Sequence, residues 1–273
     1  MNFQQKLDAI IQKNNSLVCV GLDSDVNKLP EQFKPSEHPQ FEFNKAIIDA
    51  THDLVCAYKP NTAFYEARGE KGIAELKMTF DYIKQTYPDI VTILDAKRAD
   101  IGNTNNGYVT FAFDYLNADA ITLHPYLGSG AITPFLERED KGSIILCRTS
   151  NPGADELQNL TVNGEPIYRI VAKKVSAEWN INGNCMLVMG ATYPDELREV
   201  REITGDMTFL VPGIGAQGGD IEKTMKAGLN KKKAGMVINS SRGIIFASNG
   251  TDFSQKAREE TQKLHDTINT FRV

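Results

Sequence analysis

The sequence predicts a (β/α)8 barrel with an extra helix at its N-terminus. Three observations support this fold: short apolar runs recur eight times, amphipathic segments separate them, and 273 residues fit one barrel. Runs that are apolar throughout are typical of strands covered on both faces, as in a parallel sheet. An open doubly wound sheet would show the same alternation, but eight units and this length favour a closed barrel. We therefore expect a single domain over residues 1–273.

The predicted strands alternate with predicted helices along the whole chain. The strands cover residues 17–23, 54–61, 91–100, 119–125, 143–153, 185–192, 207–215 and 235–243. Amphipathic segments such as 42–54, 73–87 and 167–179 lie between them. Residues 1–14 predict the added helix before the first strand. The polar stretch 150–165 follows the fifth strand, and a loop of that length is typical of a lid or a binding loop.

Composition and charge narrow the class of protein. Apolar residues make up 41% of the chain, and no apolar run approaches the roughly 20 residues needed to cross a bilayer. The N-terminus lacks the basic start and the apolar stretch of a secretion signal, so we expect a soluble, cytoplasmic protein with no membrane partner. A net charge of −5 makes a nucleic acid a poor candidate partner.

The cysteines and the motifs predict neither disulfides nor a metal site. Cys19, Cys56, Cys147 and Cys185 each lie in an apolar run, and their spacing contains no CxxC pair. We expect them to be buried thiols in a reducing compartment. No H-E-x-x-H motif and no carboxylate cluster that would demand a metal occurs in the sequence.

Charged residues collect where the predicted strands end, and in such barrels the active site lies at the carboxyl ends of the strands. Strand one ends at Asp23, strand two at Lys59, and strand three carries Asp95 and Lys97. Because side chains alternate along a strand, Asp95 and Lys97 should point the same way, where the other two can join them. Such an array keeps Lys97 charged and able to stabilise or protonate a developing carbanion. A salt-bridge network that closes the barrel end is the structural alternative.

Two loops with glycines predict a phosphate site. Residues 212–220 (PGIGAQGGD) follow the seventh strand, and residues 239–243 (NSSRG) follow the eighth. Glycines let backbone N–H groups approach an anion, and barrels often bind phosphate with these two loops, to which Arg242 adds a guanidinium fork. The first loop contains G-x-G-x-x-G, but it follows the seventh strand and lacks an acidic partner for a ribose. We therefore expect no dinucleotide cofactor.

The string LDAKRADIGNT at 94–104 resembles the signature of the orotidine 5'-phosphate decarboxylase family. The resemblance extends to VGLD at 20–23, YKPNTAFYE at 58–66, TSNPGA at 149–154, PGIGAQGGD at 212–220 and SRG at 241–243. It spans almost the whole barrel, and the KPN and TSNPG forms are similar to the longer bacterial branch. Sugar-phosphate decarboxylases of the same suprafamily share D-x-K-x-x-D. They usually carry glutamate at the end of strand two, where this sequence has Lys59.

The resemblance implies decarboxylation of orotidine 5'-monophosphate to uridine 5'-monophosphate in pyrimidine synthesis, without a cofactor. It implies that Lys97 donates a proton to C6 of the pyrimidine and that Asp95 lies beside the departing carboxylate. Lys59 and Asp23 would hold the ribose hydroxyls and complete the charge array. Losing CO2 from C6 leaves a carbanion with no electron sink, so preorganised charge is the remaining means of stabilising it.

The resemblance also implies a homodimer with shared active sites, in which Asp100, with Ile101 and Thr104, reaches into the site of a second subunit. Further implied contacts are a hydrogen bond from Ser150 to the pyrimidine, a bridge between base and phosphate, and a grip on the phosphate. Gln217 would make the bridge between base and phosphate, and Arg242 would bind the phosphate. The other predicted residues of these two loops are Gly218, Gly219 and Ser241.

Two other functions stay open on the sequence alone. A Mg2+-dependent sugar-phosphate decarboxylase or synthase of the same suprafamily would need a carboxylate where Lys59 stands. A non-catalytic phosphate-binding barrel would need no costly array of charges. The contacts of the 150–165 loop stay open too, as does the role of His124, which either lines the pocket or makes a structural hydrogen bond.

Overall fold

A computed structural model of the chain describes residues 1–214 and 219–272. Within them, eight parallel strands form a closed barrel, which confirms the predicted fold. The strands are β1 (Val18–Gly21), β2 (Ala57–Lys59), β3 (Val91–Arg98), β4 (Ala120–Leu123), β5 (Gly142–Arg148), β6 (Cys185–Met189), β7 (Phe209–Pro212) and β8 (Met236–Ser240). Each strand pairs with its neighbour in the chain, and β1 closes the barrel against β8, with Val18 opposite Ile238.

Helices and short turns connect the strands. The helices are α1 (Phe3–Lys13), α2 (Pro39–Thr51), α3 (Ala63–Glu66), α4 (Gly69–Thr86), α5 (Gly102–Val109), α6 (Ser129–Leu136), α7 (Asp155–Gln158), α8 (Ile167–Lys174), α9 (Pro194–Thr204), α10 (Ile221–Gly228), α11 (Arg242–Ile245) and α12 (Phe253–Asn269). α2 and α9 begin with proline, whose fixed φ suits the first helical position. In the part of the chain described, none of them has the length and apolar character that a membrane span requires.

The core lies between the strands and the surrounding helices. The strand bodies are buried on both faces, which explains why they read as continuous apolar runs. All four cysteines are free and buried, as the sequence predicted. The predicted polar loop after β5 has its own local structure, namely α7 and a two-stranded hairpin that pairs Thr161–Val162 with Glu165–Pro166.

The extra helix α1 packs against the amino-terminal end of the barrel. Phe3, Leu7 and Ile10 are buried there, and a Cβ on Gly142 would lie only 2.7 Å from the Phe3 ring. Beside them, the buried carboxylate of Asp119 accepts hydrogen bonds from one lysine of α1 and one of α4 and from both donors of a β3 threonine. These donors are Lys6 at 2.9 Å, Lys84 at 2.5 Å and Thr92 at 2.8 and 3.0 Å. The helix is therefore fastened to the barrel by charge as well as by apolar contact.

We predict that Asp119→Asn destabilises the fold far more than Asp89→Asn. Both aspartates bind a lysine of α1, but the Lys13–Asp89 pair is exposed. Losing Asp119 should lower the free energy of unfolding by about 3 kcal/mol, because two largely buried ammonium groups lose their carboxylate. Losing Asp89 should lower it by less than about 1 kcal/mol. Urea unfolding at neutral pH measures both values, and similar losses would show that Asp119 does not fasten α1.

Candidate active site

A cavity of about 850 Å3 opens at the carboxyl ends of the strands. Strand order brings the predicted residues together there: Asp23 follows β1, Lys59 ends β2, and Asp95 and Lys97 belong to β3. All four line the cavity. Its volume is in the range of small-molecule sites in proteins.

Asp95 is the centre of the charge array. Its Oδ2 accepts a hydrogen bond from Lys59 Nζ at 2.9 Å and one from Asn61 Nδ2 at 3.3 Å. Its Oδ1 accepts from Lys97 Nζ at 2.6 Å. Lys59 is buried, whereas half of the Lys97 side chain is exposed (50%) toward the cavity. Asp23 Oδ1 is also buried, and it has no hydrogen-bond partner among the residues described.

Asp95 and Lys59 stay charged over a wide pH range. Burial works against the charge of Asp95, but Lys59 and Lys97 outweigh it and hold the pKa of its carboxyl well below the ordinary value. Burial likewise works against the charge of Lys59, but Asp95 and Asp23 raise the pKa of its ammonium above the ordinary value. The Asp95 contribution to stability is therefore present above about pH 3.9 and is lost as the pH falls through its lowered pKa. The Lys59 contribution is present below about pH 10.4 and is lost as the pH rises through its raised pKa.

The backbone at Lys97 departs from a regular strand. Lys97 has φ of +48°, in the left-handed region that a residue with a side chain rarely adopts, and the register of β3 against β4 shifts between Leu94 and Arg98. The buried Thr122 of β4 supports this conformation. Its Oγ1 accepts the Lys97 N–H at 2.9 Å and donates to Asp95 Oδ1 at 2.9 Å. Sequence reasoning missed Thr122, whose only signal is a hydroxyl within an apolar run.

The residues after β3 do not line the cavity of their own chain. The Asp100 carboxylate accepts the N–H of Ile101 at 2.7 Å, and Asn105 Oδ1 accepts the Asp100 N–H at 2.8 Å. Ile101 and Thr104 are exposed at the surface. The structure therefore places these three predicted site residues beside the array's strand but outside its cavity.

The predicted phosphate side of the cavity is formed by Gly213, Ser241 and Arg242 together with their neighbours. Gly21 explains part of this arrangement, because a Cβ there would lie 1.8 Å from Ser241 Oγ. Gly219 is equally constrained, since a Cβ would lie 2.7 Å from that of Ala191. Two predicted residues of this loop, Gln217 and Gly218, lie outside the described residues.

The last predicted positions follow β4 and β5 in the chain. His124 lines the cavity, and its Nδ1 is buried without a hydrogen-bond partner in the described part of the chain. The structure thus places it in the pocket rather than in a structural hydrogen bond through that nitrogen. Ser150 also lines the cavity and is packed against Gly190, where a Cβ would lie 2.8 Å from the Ser150 Cβ.

The arrangement suits the stabilisation of negative charge in a bound ligand. A half-exposed ammonium is fixed beside a buried carboxylate, and a second ammonium lies behind the pair. Preorganised charge of this kind acts strongly where water is excluded. Within residues 1–214 and 219–272, no group of three or more histidine, cysteine, aspartate or glutamate side chains is placed to hold a metal ion.

Comparison with known proteins gives one consistent family. The family model described as "Orotidine 5'-phosphate decarboxylase / HUMPS family" matches residues 16–257. The orotidine 5'-phosphate decarboxylase of Cellvibrio japonicus is 50% identical and is covered over 100% of both chains. That of Flavobacterium johnsoniae is also 50% identical, with 98% of this chain and 97% of that protein covered. The solved OMP decarboxylase of Leishmania donovani has a TM-score of 0.88 and 39% identity, with 100% of this chain and 99% of that one covered.

We predict that Lys59 controls the pKa of Asp95 more strongly than Lys97 does. The charge of Lys59 is buried, whereas water screens the half-exposed Lys97. Lys59→Met should therefore raise the Asp95 pKa toward or above the ordinary value of about 3.9. The reason is that burial raises this pKa, and the variant lacks the buried ammonium group that lowers it. Lys97→Met, the matched variant, should raise it less. A 13C NMR titration of the Asp95 carboxyl measures both, and a larger rise in Lys97→Met would contradict this account.

Proposed function

The chain belongs to the orotidine 5'-phosphate decarboxylase / HUMPS family, and on this premise we propose that Lys97 is the proton donor of a cofactor-free decarboxylation at the barrel mouth. The activity is the conversion of orotidine 5'-monophosphate to uridine 5'-monophosphate in pyrimidine synthesis, the reaction for which the full-length relatives are named. The single observation that carries the mechanism is the Lys59–Asp95–Lys97 array. We propose that residues 1–273 act as one catalytic domain.

The array also separates this function from its alternatives. A Mg2+-dependent sugar-phosphate enzyme needs a carboxylate at the end of β2, where Lys59 instead donates to Asp95 at 2.9 Å. A barrel that only binds phosphate has no use for a carboxylate buried between two lysines, since burying such charges is unfavourable. Neither alternative is favoured by the geometry of the site.

The proposed reaction begins with the break of the bond between C6 and the carboxylate carbon. The electron pair stays on C6, CO2 leaves, and Lys97 Nζ then gives its proton to C6 to form the product. Asp95 lies beside the leaving carboxylate, so the repulsion between the two anions is relieved as neutral CO2 forms. The Lys97 ammonium stabilises the negative charge while it develops. Lys97 is half exposed, so it can regain a proton from water after product leaves.

The rest of the nucleotide is held at the edges of the array. We propose that Asp23 accepts a ribose hydroxyl, which suits its buried Oδ1, and that Lys59 donates to the ribose with an N–H not used by Asp95. Ser150 hydrogen-bonds the pyrimidine. Arg242 lies exposed at the rim, where its guanidinium can bind the phosphate. The further contacts proposed for base and phosphate are Gln217, Gly218, Gly219 and Ser241.

We further propose a homodimer whose subunits share residues. Apolar side chains next to the cavity are exposed, namely Ile101 at 67% and Tyr126 at 84%. Exposed apolar groups beside a site are typical of a subunit interface. Asp100 precedes Ile101 on this surface and would complete the partner's array, together with Thr104. The buried free cysteines support a location in the reducing cytoplasm.

We predict turnover of orotidine 5'-monophosphate that does not need a divalent metal. Purified protein should consume the substrate at the same rate with and without EDTA, as followed by the loss of its absorbance. Lys97→Ala should lower kcat by at least about 10²–10⁴-fold, because proton transfer and charge stabilisation are both lost. Activity that disappears with EDTA and returns with Mg2+ would favour a sugar-phosphate enzyme. Binding of the nucleotide without turnover would favour the non-catalytic barrel.

We predict that two inactive variants restore activity when their subunits exchange. Lys97→Ala and Asp100→Ala should each be nearly inactive, because every site lacks one group. In a mixed dimer, one site receives both defects and the other receives neither. Random pairing of equal amounts should therefore restore roughly a quarter of all sites. Activity is measured against exchange time, and exchange is checked by mass spectrometry. Complete exchange without regained activity would show that Asp100 acts within its own subunit.

A further inference from the structure

Arg148, the last residue of β5, is a fully buried cation that the proposed mechanism does not use. It has no exposed surface and does not line the cavity. A buried guanidinium is unfavourable unless charged or polar groups surround it. Here Nη2 donates to Asp155 at 2.5 Å and Nη1 donates to the Gln158 side-chain oxygen at 3.3 Å. The Arg148 Cζ lies 3.7 Å from the centre of the Tyr193 ring. Glu196 lies 3.8 Å from Nη2.

The partners of Arg148 come from two different loops at the cavity rim. Asp155 and Gln158 are the first and last residues of α7, and four residues are too few for a helix to be stable without outside contacts. Tyr193 immediately precedes α9, and Glu196 lies in the first turn of that helix. Arg148 therefore joins α7 to the loop that precedes α9.

The same contacts fix the chain on either side of Ser150. The Gln158 side chain accepts the Thr149 N–H at 2.9 Å and donates to Thr149 Oγ1 at 2.7 Å. The Arg148 carbonyl accepts the N–H of Gly190 at 2.7 Å, and Ser150 is packed directly against that glycine. Ser150, two residues beyond Arg148, thus follows a short connection that is hydrogen-bonded at both Arg148 and Thr149.

We propose that Arg148 is a positioning residue for base recognition: by binding α7 and Tyr193 it holds Ser150 against the pyrimidine without touching the ligand. This inference rests on the proposed function, in which Ser150 hydrogen-bonds the base. It gives the loop after β5 a defined role, because the loop carries the base contact and its exposed residue Asp155 neutralises the buried cation. The consequence is specific: loosening Arg148 should weaken binding of the base and leave phosphate binding intact.

The test compares two ligands on Asp155→Asn. Asp155 is exposed, so the variant should fold, which its melting temperature checks. Its Kd for uridine 5'-monophosphate should rise about tenfold. Its Kd for ribose 5-phosphate, which carries the phosphate without the base, should change less than about twofold. Asp195→Asn is the matched control, because Asp195 is an exposed aspartate of α9 whose ion pair is with the exposed Arg198. Both Kd values should stay unchanged in this variant.

A second variant and a double substitution complete the test. Arg148→Lys keeps the charge but loses the fork and the stacking on Tyr193, so it should show the same selective loss. In a Ser150→Ala background, Asp155→Asn should change the Kd for uridine 5'-monophosphate by less than about twofold. Equal losses for both ligands, or the same loss with and without Ser150, would overturn the role of Arg148. Wild-type protein that fails to bind uridine 5'-monophosphate would instead contradict the proposed function itself.

Discussion

The site depends on one carboxylate, Asp95, being kept charged inside the barrel mouth. Four donors reach its two oxygens, and two of them are ammonium groups. Without Lys59 and Lys97 the burial of this carboxylate would favour its neutral form, and an uncharged group could neither repel a substrate carboxylate nor aim an ammonium. Hydrogen bonds to this carboxylate therefore link β2, β3 and β4 at the barrel mouth.

The contact between Lys97 and this carboxylate is made by a strand whose backbone is irregular at Lys97. Ideal alternation would place the two side chains on one face but would leave the Lys97 N–H to the strand ladder. In the structure the backbone turns left-handed at Lys97, and the N–H that leaves the ladder is accepted by Thr122. The same hydroxyl donates to Asp95, so one side chain stabilises both the unusual backbone and the carboxylate. The strain at Lys97 is thus tied directly to the carboxylate that the proposed reaction uses.

The sequence predicted the barrel from the regular recurrence of apolar runs, and it predicted the charge array from the charged residues at the ends of those runs. Apolar runs indicate strands, and polar residues at their ends indicate the barrel mouth, so the sequence alone places Asp23, Lys59 and Asp95 there. Thr122 and Arg148 could not. Thr122 contacts Lys97 and Asp95, which lie far from it in the chain. The contacts of Arg148 depend on how α7 and the start of α9 fold around it, which its neighbouring residues do not indicate. The role of Asp100 also stays a prediction, because it depends on a second subunit.

An aspartate paired with two lysines occurs at both ends of the barrel, and the two groups differ in how far their lysines are exposed to solvent. At the amino-terminal end Asp119 binds Lys6 and Lys84, and at the carboxyl end Asp95 binds two lysines in the same way. Both lysines of Asp119 are at most 20% exposed, and their ion pairs hold α1 and α4 to the barrel. Lys97 is 50% exposed on the cavity side, which leaves its ammonium group accessible to a ligand. A carboxylate paired with two largely buried lysines stabilises the fold. When one of the two ammonium groups is open to a ligand, the same motif can take part in chemistry.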